Sequence, residues 1–265
     1  MENGEINKPS EQMYFALVPL LYGIAASGAS IFLFWTNSIQ ILSTIGRILL
    51  VATPLVIGAI SITEFVRGGI AFGDRYSIMN TSCAFALCIL GISEAVFLVV
   101  QDSAPTEIGK AVYYTVAAVG ILPWVGSVIS YLRQSNEVLG FLSNPTLKYI
   151  LILCSILCPI PGILLLFGMG VNTGLTSIVA AYPLFAMSAL LILTLGYISW
   201  IFRRGQFIRP LLLIFVGTCF AAVHFGMQSG SSTLTVLLVN PVTGILGYSL
   251  LGSALLLAFA MIDNL

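Results

Sequence analysis

Apolar runs of about twenty residues, each broken off by charge, Gly, Pro or Asn, recur along this chain from Met13 to Ile262. A run of that length is enough to cross roughly 30 Å of hydrocarbon. Backbone in lipid must satisfy its hydrogen bonds internally, so each run is expected to be a helix. The spacing predicts eight spans, at 13–35, 43–63, 77–100, 109–132, 147–169, 175–202, 208–228 and 240–262. Their connections are too short for a separate soluble domain. Residues 13–265 therefore read as one transmembrane domain behind a polar tail over 1–12, and the expected fold class is all-α, a polytopic membrane helical bundle. Composition agrees, because 58% of the 265 residues are hydrophobic and 8% charged, against about a quarter charged in soluble domains.

Ten basic and ten acidic residues cancel, which removes the basic field that nucleic acid requires. The tail, MENGEINKPSEQ, carries three glutamates and lacks the basic-then-apolar order of a cleavable signal peptide, so the first span is expected to be retained. With eight spans, Lys8, Arg67, Arg75, Arg133, Lys148, Arg203, Arg204 and Arg209 fall on one side, and only Arg47 and Lys110 on the other. Lys and Arg collect on cytoplasmic loops, so both termini are expected in the cytoplasm, with the cell membrane as the location. Cys83, Cys88, Cys154, Cys158 and Cys219 lie inside apolar runs, a poor placement for a disulfide framework. Cys154 and Cys158 share a helix face, but two thiols make an incomplete metal site. No metal or cofactor is expected.

One acidic residue, Glu94, falls well inside a span. An ionisable group in hydrocarbon costs several kcal/mol unless it faces a cavity or a partner, and is read as functional by default. At 1.5 Å per residue Glu94 lies about 25 Å along the third span, and the only histidine, His224, about 24 Å along the seventh, which runs the same way. Arg47 is a few residues shallower. A cluster of Glu94, His224 and Arg47 in the outer third of the membrane follows as an expectation. A carboxylate beside an imidazole can trade a proton near neutral pH, and an arginine can attract an anion. The alternative is that Glu94 turns outward toward Gln101 and Asp102 while His224 bonds a neighbouring backbone.

Prolines 19, 54, 123, 159, 161 and 183 fall inside the expected spans and bend helices. Pro159 and Pro161, in CPIPG at 158–162, are the candidates for a helix break of the kind that lines transport sites. Small residues four apart, at Ala25 and Ala29, Gly226 and Gly230, and Ser249 and Ser253, mark helix contacts. Hydrolytic catalysis finds little support, since one histidine and one deep acid make no Ser-His-Asp set and no HExxH is present. The Asp74-Arg75-Tyr76 and Asn240-Pro241 motifs lie at the wrong helix ends for the G-protein-coupled receptors that share them.

The stretch GAISITEFVRGGIAFG, 58–73, resembles the acetate and succinate transporter family at Glu64, Phe65, Arg67, Gly68, Phe72 and Gly73. The resemblance implies that spans one to six are that family's six helices, with both ends cytoplasmic. The turn is one residue longer than the family pattern, and the Asn-Pro motif appears only as Asn7-Lys8-Pro9. Spans seven and eight have no counterpart.

The favoured expectation is a transporter or channel for a small solute, such as a small organic anion moved with protons, with the bilayer and the solute as partners. The second is a haem-free anchor subunit of a redox complex with a quinone near the same cluster, and the third a structural membrane subunit. A transporter purifies alone or as a homo-oligomer, whereas an anchor brings redox subunits from its membrane complex.

Overall fold

The computed structural model describes residues 11–68, 74–103, 106–139, 149, 153, 157, 175–205, 208–228 and 234–262. A short helix α1, Glu11–Phe15, precedes α2, Val18–Trp35. Then come α3, Ile39–Arg67; α4, Arg75–Ser103; α5, Thr106–Leu139; α6, Leu175–Ile201; and α7, Ile208–Met227. A π-helical turn over Thr235–Val239 runs into α8, Asn240–Ile262. Among the described residues seven helices are long and apolar enough to cross a membrane, as expected of an integral membrane protein. The expected span at 147–169, with Pro159, Pro161, Cys154 and Cys158, lies outside the described residues apart from three isolated positions.

Local chemistry sets several boundaries. Pro19 stands in the first turn of α2 rather than in a helix interior, where its missing N–H removes no helical bond. Asn37, at φ 55°, takes the left-handed conformation that Asn tolerates and lets α3 follow α2 closely. Asp74 accepts from the backbone N–H groups of Tyr76 and Ser77 at 3.0 and 3.1 Å, so the acid of the Asp-Arg-Tyr triplet caps α4.

Helices α3 to α7 pack each on the next, and α8 closes the ring by packing on α7 and α3, with α2 against its outer side. Of the seven spans, the one containing α8 is the most buried. The α7 and α8 backbones approach through glycine. A Cβ on Gly247 would stand 2.8 Å from the Ala221 nitrogen and 3.1 Å from the Gly217 oxygen, and one on Gly217 3.0 Å from the Gly247 oxygen. Small residues permit such contact, on which packing between membrane helices depends. Backbone cannot yield as a flexible side chain can, so Gly247→Ala is expected to destabilise the bundle by about 1–3 kcal/mol. Thermal unfolding in detergent checks this, and an unchanged melting temperature would contradict the close approach.

Contacts also fix direction. The C-terminal parts of α4 and α7 meet the beginnings of α5 and α8, through Glu94 with Tyr113 and His224 with Asn240. The Ser177 hydroxyl donates to the Glu107 carbonyl at 2.9 Å, so α5 and α6 begin at the same end, as the expected fourth and sixth spans do. Arg67, Arg75, Arg133, Arg203, Arg204 and Arg209 consequently lie at the end remote from Glu94, while Arg47 and Lys110 lie at its own end.

Candidate functional site

The apolar stripe of α7 carries Ile214, Gly217, Ala221 and His224 inward at three- and four-residue spacing, and Gln228 follows one turn on. The same periodicity turns Glu94 inward from α4. Glu94 is 3% exposed and His224 0%, so Glu94 does not turn outward to the interface. The His224 Nε2 lies 2.7 Å from Glu94 Oε1, and the two residues share one depth, as the rise per residue predicts.

Three groups not singled out from the sequence complete the first ring of contacts. The Tyr113 hydroxyl donates to Glu94 Oε1 at 2.8 Å and the Tyr248 hydroxyl to the same oxygen at 3.2 Å. Gln228 Nε2 donates to Oε2 at 3.2 Å. An ionised carboxylate is acceptor-only with about four lone-pair sites, and among the described residues these three donors and the His224 Nε2 meet it here. This is how a carboxylate is held away from water without an orphaned charge. Asn240 extends the network, its Nδ2 donating to Gln228 Oε1 at 3.3 Å.

The protonation pattern follows from hydrogen-bond direction. His224 Nδ1 lies 3.0 Å from the Asn240 carbonyl oxygen. A carbonyl only accepts, so Nδ1 carries a hydrogen. The Nε2 to Oε1 contact then contains one proton, and the pair has no net charge whether the imidazole or the carboxyl holds it. One further proton makes the pair a cation.

Ring packing holds this geometry. His224 meets Tyr248 edge-to-face at 5.7 Å, and Tyr113 lies between Phe97 and Tyr114, each at 5.4 Å. Gly244, one turn into α8, provides the space for the imidazole, since a Cβ there would come 2.8 Å from His224 Nδ1.

The network borders a pocket of about 180 Å³ at this end of the bundle. Glu94, Gln228 and Asn240 line it, as do Ser43 and Arg47 of α3 and Lys110 of α5, and apolar side chains from Leu50, Val51 and Phe97 form part of its wall. The π-helical turn contributes Val236 and Leu237, followed by Pro241. Such turns often occur at functional sites, and Pro241 leaves a preceding carbonyl without its helical donor. The structure thus brings Glu94 and His224 into contact and sets Arg47 on the wall of the pocket that Glu94 lines. Pro159 and Pro161 cannot be related to it, being outside the described residues.

No protein-family model matches the chain, and no curated protein or solved structure matches it. Of the six residues that resemble the acetate and succinate transporters, Glu64, Phe65, Arg67 and Gly68 are described, at the far end of α3 from the pocket. Arg67 and Glu64 form an exposed pair at 3.4 Å there.

Proposed function

We propose that this protein moves a small solute across a membrane, and that the solute is a small organic anion taken with a proton. One observation carries the reading: a buried acid, 2.7 Å from a buried imidazole, lines a pocket that also bears two cationic side chains, Arg47 and Lys110. Charges within a membrane domain are costly and mark ion and proton paths. The cations attract an anion, the apolar wall accepts its hydrocarbon part, and Glu94 with His224 supplies a proton-exchanging group beside it. The π-helical turn ahead of α8 adds a departure from regular α-helix at the pocket, where such departures are tolerated in membrane proteins.

Propionate is a suitable probe, with one charge and a short apolar tail. In vesicles containing the purified protein, a pH gradient is expected to drive propionate uptake above the protein-free background. Removing one attracting charge weakens capture without removing the proton site. Arg47→Ala is therefore expected to raise KM several-fold with little change in maximal rate, as a loss of uniform binding does. A lowered maximal rate at unchanged KM would contradict the role given to Arg47.

A further inference from the structure

The hydrogen bonds linking Glu94, Gln228 and Asn240, three residues that line the pocket, all point one way. Gln228 donates its Nε2 to Glu94 Oε2 and presents Oε1 behind it, and Asn240 donates its Nδ2 to that Oε1. The chain ends on Asn240 Oδ1, a buried acceptor that receives no hydrogen bond from the described residues, on a residue lining the pocket. A carboxamide is a donor at one edge and an acceptor at the other. The carboxylate, which only accepts, therefore sets the orientation of both amides.

A proton on Oε2 turns that oxygen into a donor. Gln228 must then present Oε1 to Glu94 and Nε2 to Asn240, and Asn240 must present Oδ1 to Gln228. The far end of the relay becomes Nδ2, a donor. Both changes are half-turns of a terminal amide, with no change in side-chain volume and no heavy-atom bond made or broken. The proton comes from water, and only hydrogen-bond direction reverses.

We propose that Gln228 and Asn240 form a two-amide relay through which a proton on Glu94 makes the pocket receptive to a small carboxylate. This rests on the anion reading above and names its means of coupling. With Glu94 charged, the relay ends on a buried oxygen whose partial negative charge disfavours a carboxylate in the pocket; with Oε2 protonated, it ends on an N–H whose dipole favours one. Among the described residues the other groups facing Glu94 are Tyr113 of α5, His224 of α7 and Tyr248 of α8, all on Oε1. Oε2 can thus take a proton without breaking the contact to His224. Arg47 of α3 and Lys110 of α5 share the pocket and attract an anion in either state. Charge balances as well: the pair is neutral when empty, cationic with the added proton, and neutral again with the anion bound.

The test is equilibrium binding of propionate to the purified full-length protein from mildly acidic to mildly alkaline pH. Linkage to one proton weakens binding by about tenfold per pH unit above the transition. Asn240→Leu and Gln228→Met each interrupt the relay while leaving Arg47 and Lys110 in place. Both are expected to retain binding with less than half of the wild-type pH slope, an effect that looser packing alone does not produce. Arg47→Ala is expected to weaken binding at every pH and keep the slope. Measurable binding with an unchanged slope in both amide variants overturns the relay and leaves the anion site standing. Absence of propionate binding to the wild type at every pH overturns the relay together with the anion reading.

Discussion

Glu94→Gln is expected to reduce pH-driven propionate uptake to the protein-free background while the protein still folds. Glutamine keeps the shape of the side chain and one carbonyl acceptor, so the hydroxyls of Tyr113 and Tyr248 retain a partner. What is lost is the exchangeable proton between Glu94 and His224, whose nitrogen lies 2.7 Å from Oε1. Glu94→Ala is a different experiment. It strands several buried donors at once, and breaking a buried pair in this way costs about 3–5 kcal/mol, so its loss of uptake would be confounded by unfolding. Vesicle uptake compared with protein yield separates the two variants, and wild-type uptake by Glu94→Gln would remove Glu94 from any proton role.

Gly244→Ala is expected to lose both stability and transport, although it adds only a methyl group. Its Cβ would lie 2.5 Å from Leu50 Cδ2 and 2.8 Å from His224 Nδ1. Leu50 can change rotamer, but His224 is held on one side by Glu94 and on the other by the Asn240 carbonyl. Moving the ring breaks at least one of these bonds. Overpacking costs about 1–3 kcal/mol, and the lost hydrogen bond adds to it. Thermal unfolding and uptake should fall together. Gly226, expected at a helix contact but with nothing within 4 Å of an added Cβ, is the control on α7, and Gly226→Ala is expected to change neither. Wild-type uptake by Gly244→Ala would show that the position of His224 is unimportant.

Periodicity and length carry the helices because hydrocarbon imposes both. The ends of α6, α7 and α8 fall within about one residue of the expected spans, whereas α3 and α5 continue several residues past them, since a helix need not stop where its apolar run does. Depth along α4 and α7 is also legible from the rise per residue, and it puts Glu94 and His224 at one level, whereas their 2.7 Å contact follows only from how the helices pack. Tyr113, Tyr248, Gln228 and Asn240 are not legible in that way. Tyrosine and asparagine are common near span ends, and only the packing of α5 and α8 distinguishes a hydroxyl aimed at Glu94 from one in the interface. Gln228 is the most legible of these, being four residues beyond His224 on the same face. Lys110 appears in the sequence only as one of the two charges on the less basic side, and its place in the pocket that Arg47 also lines depends on how α3 and α5 flank α4.

The central claim is that the Glu94 and His224 pair takes up a proton as an anion binds beside it. Propionate added to weakly buffered purified protein, at matched pH, allows proton uptake and binding to be followed together. The wild type is expected to take up about one proton for each propionate bound, and Glu94→Gln to take up none. Propionate binding to the wild type without proton uptake, or equal uptake by Glu94→Gln, would contradict the claim.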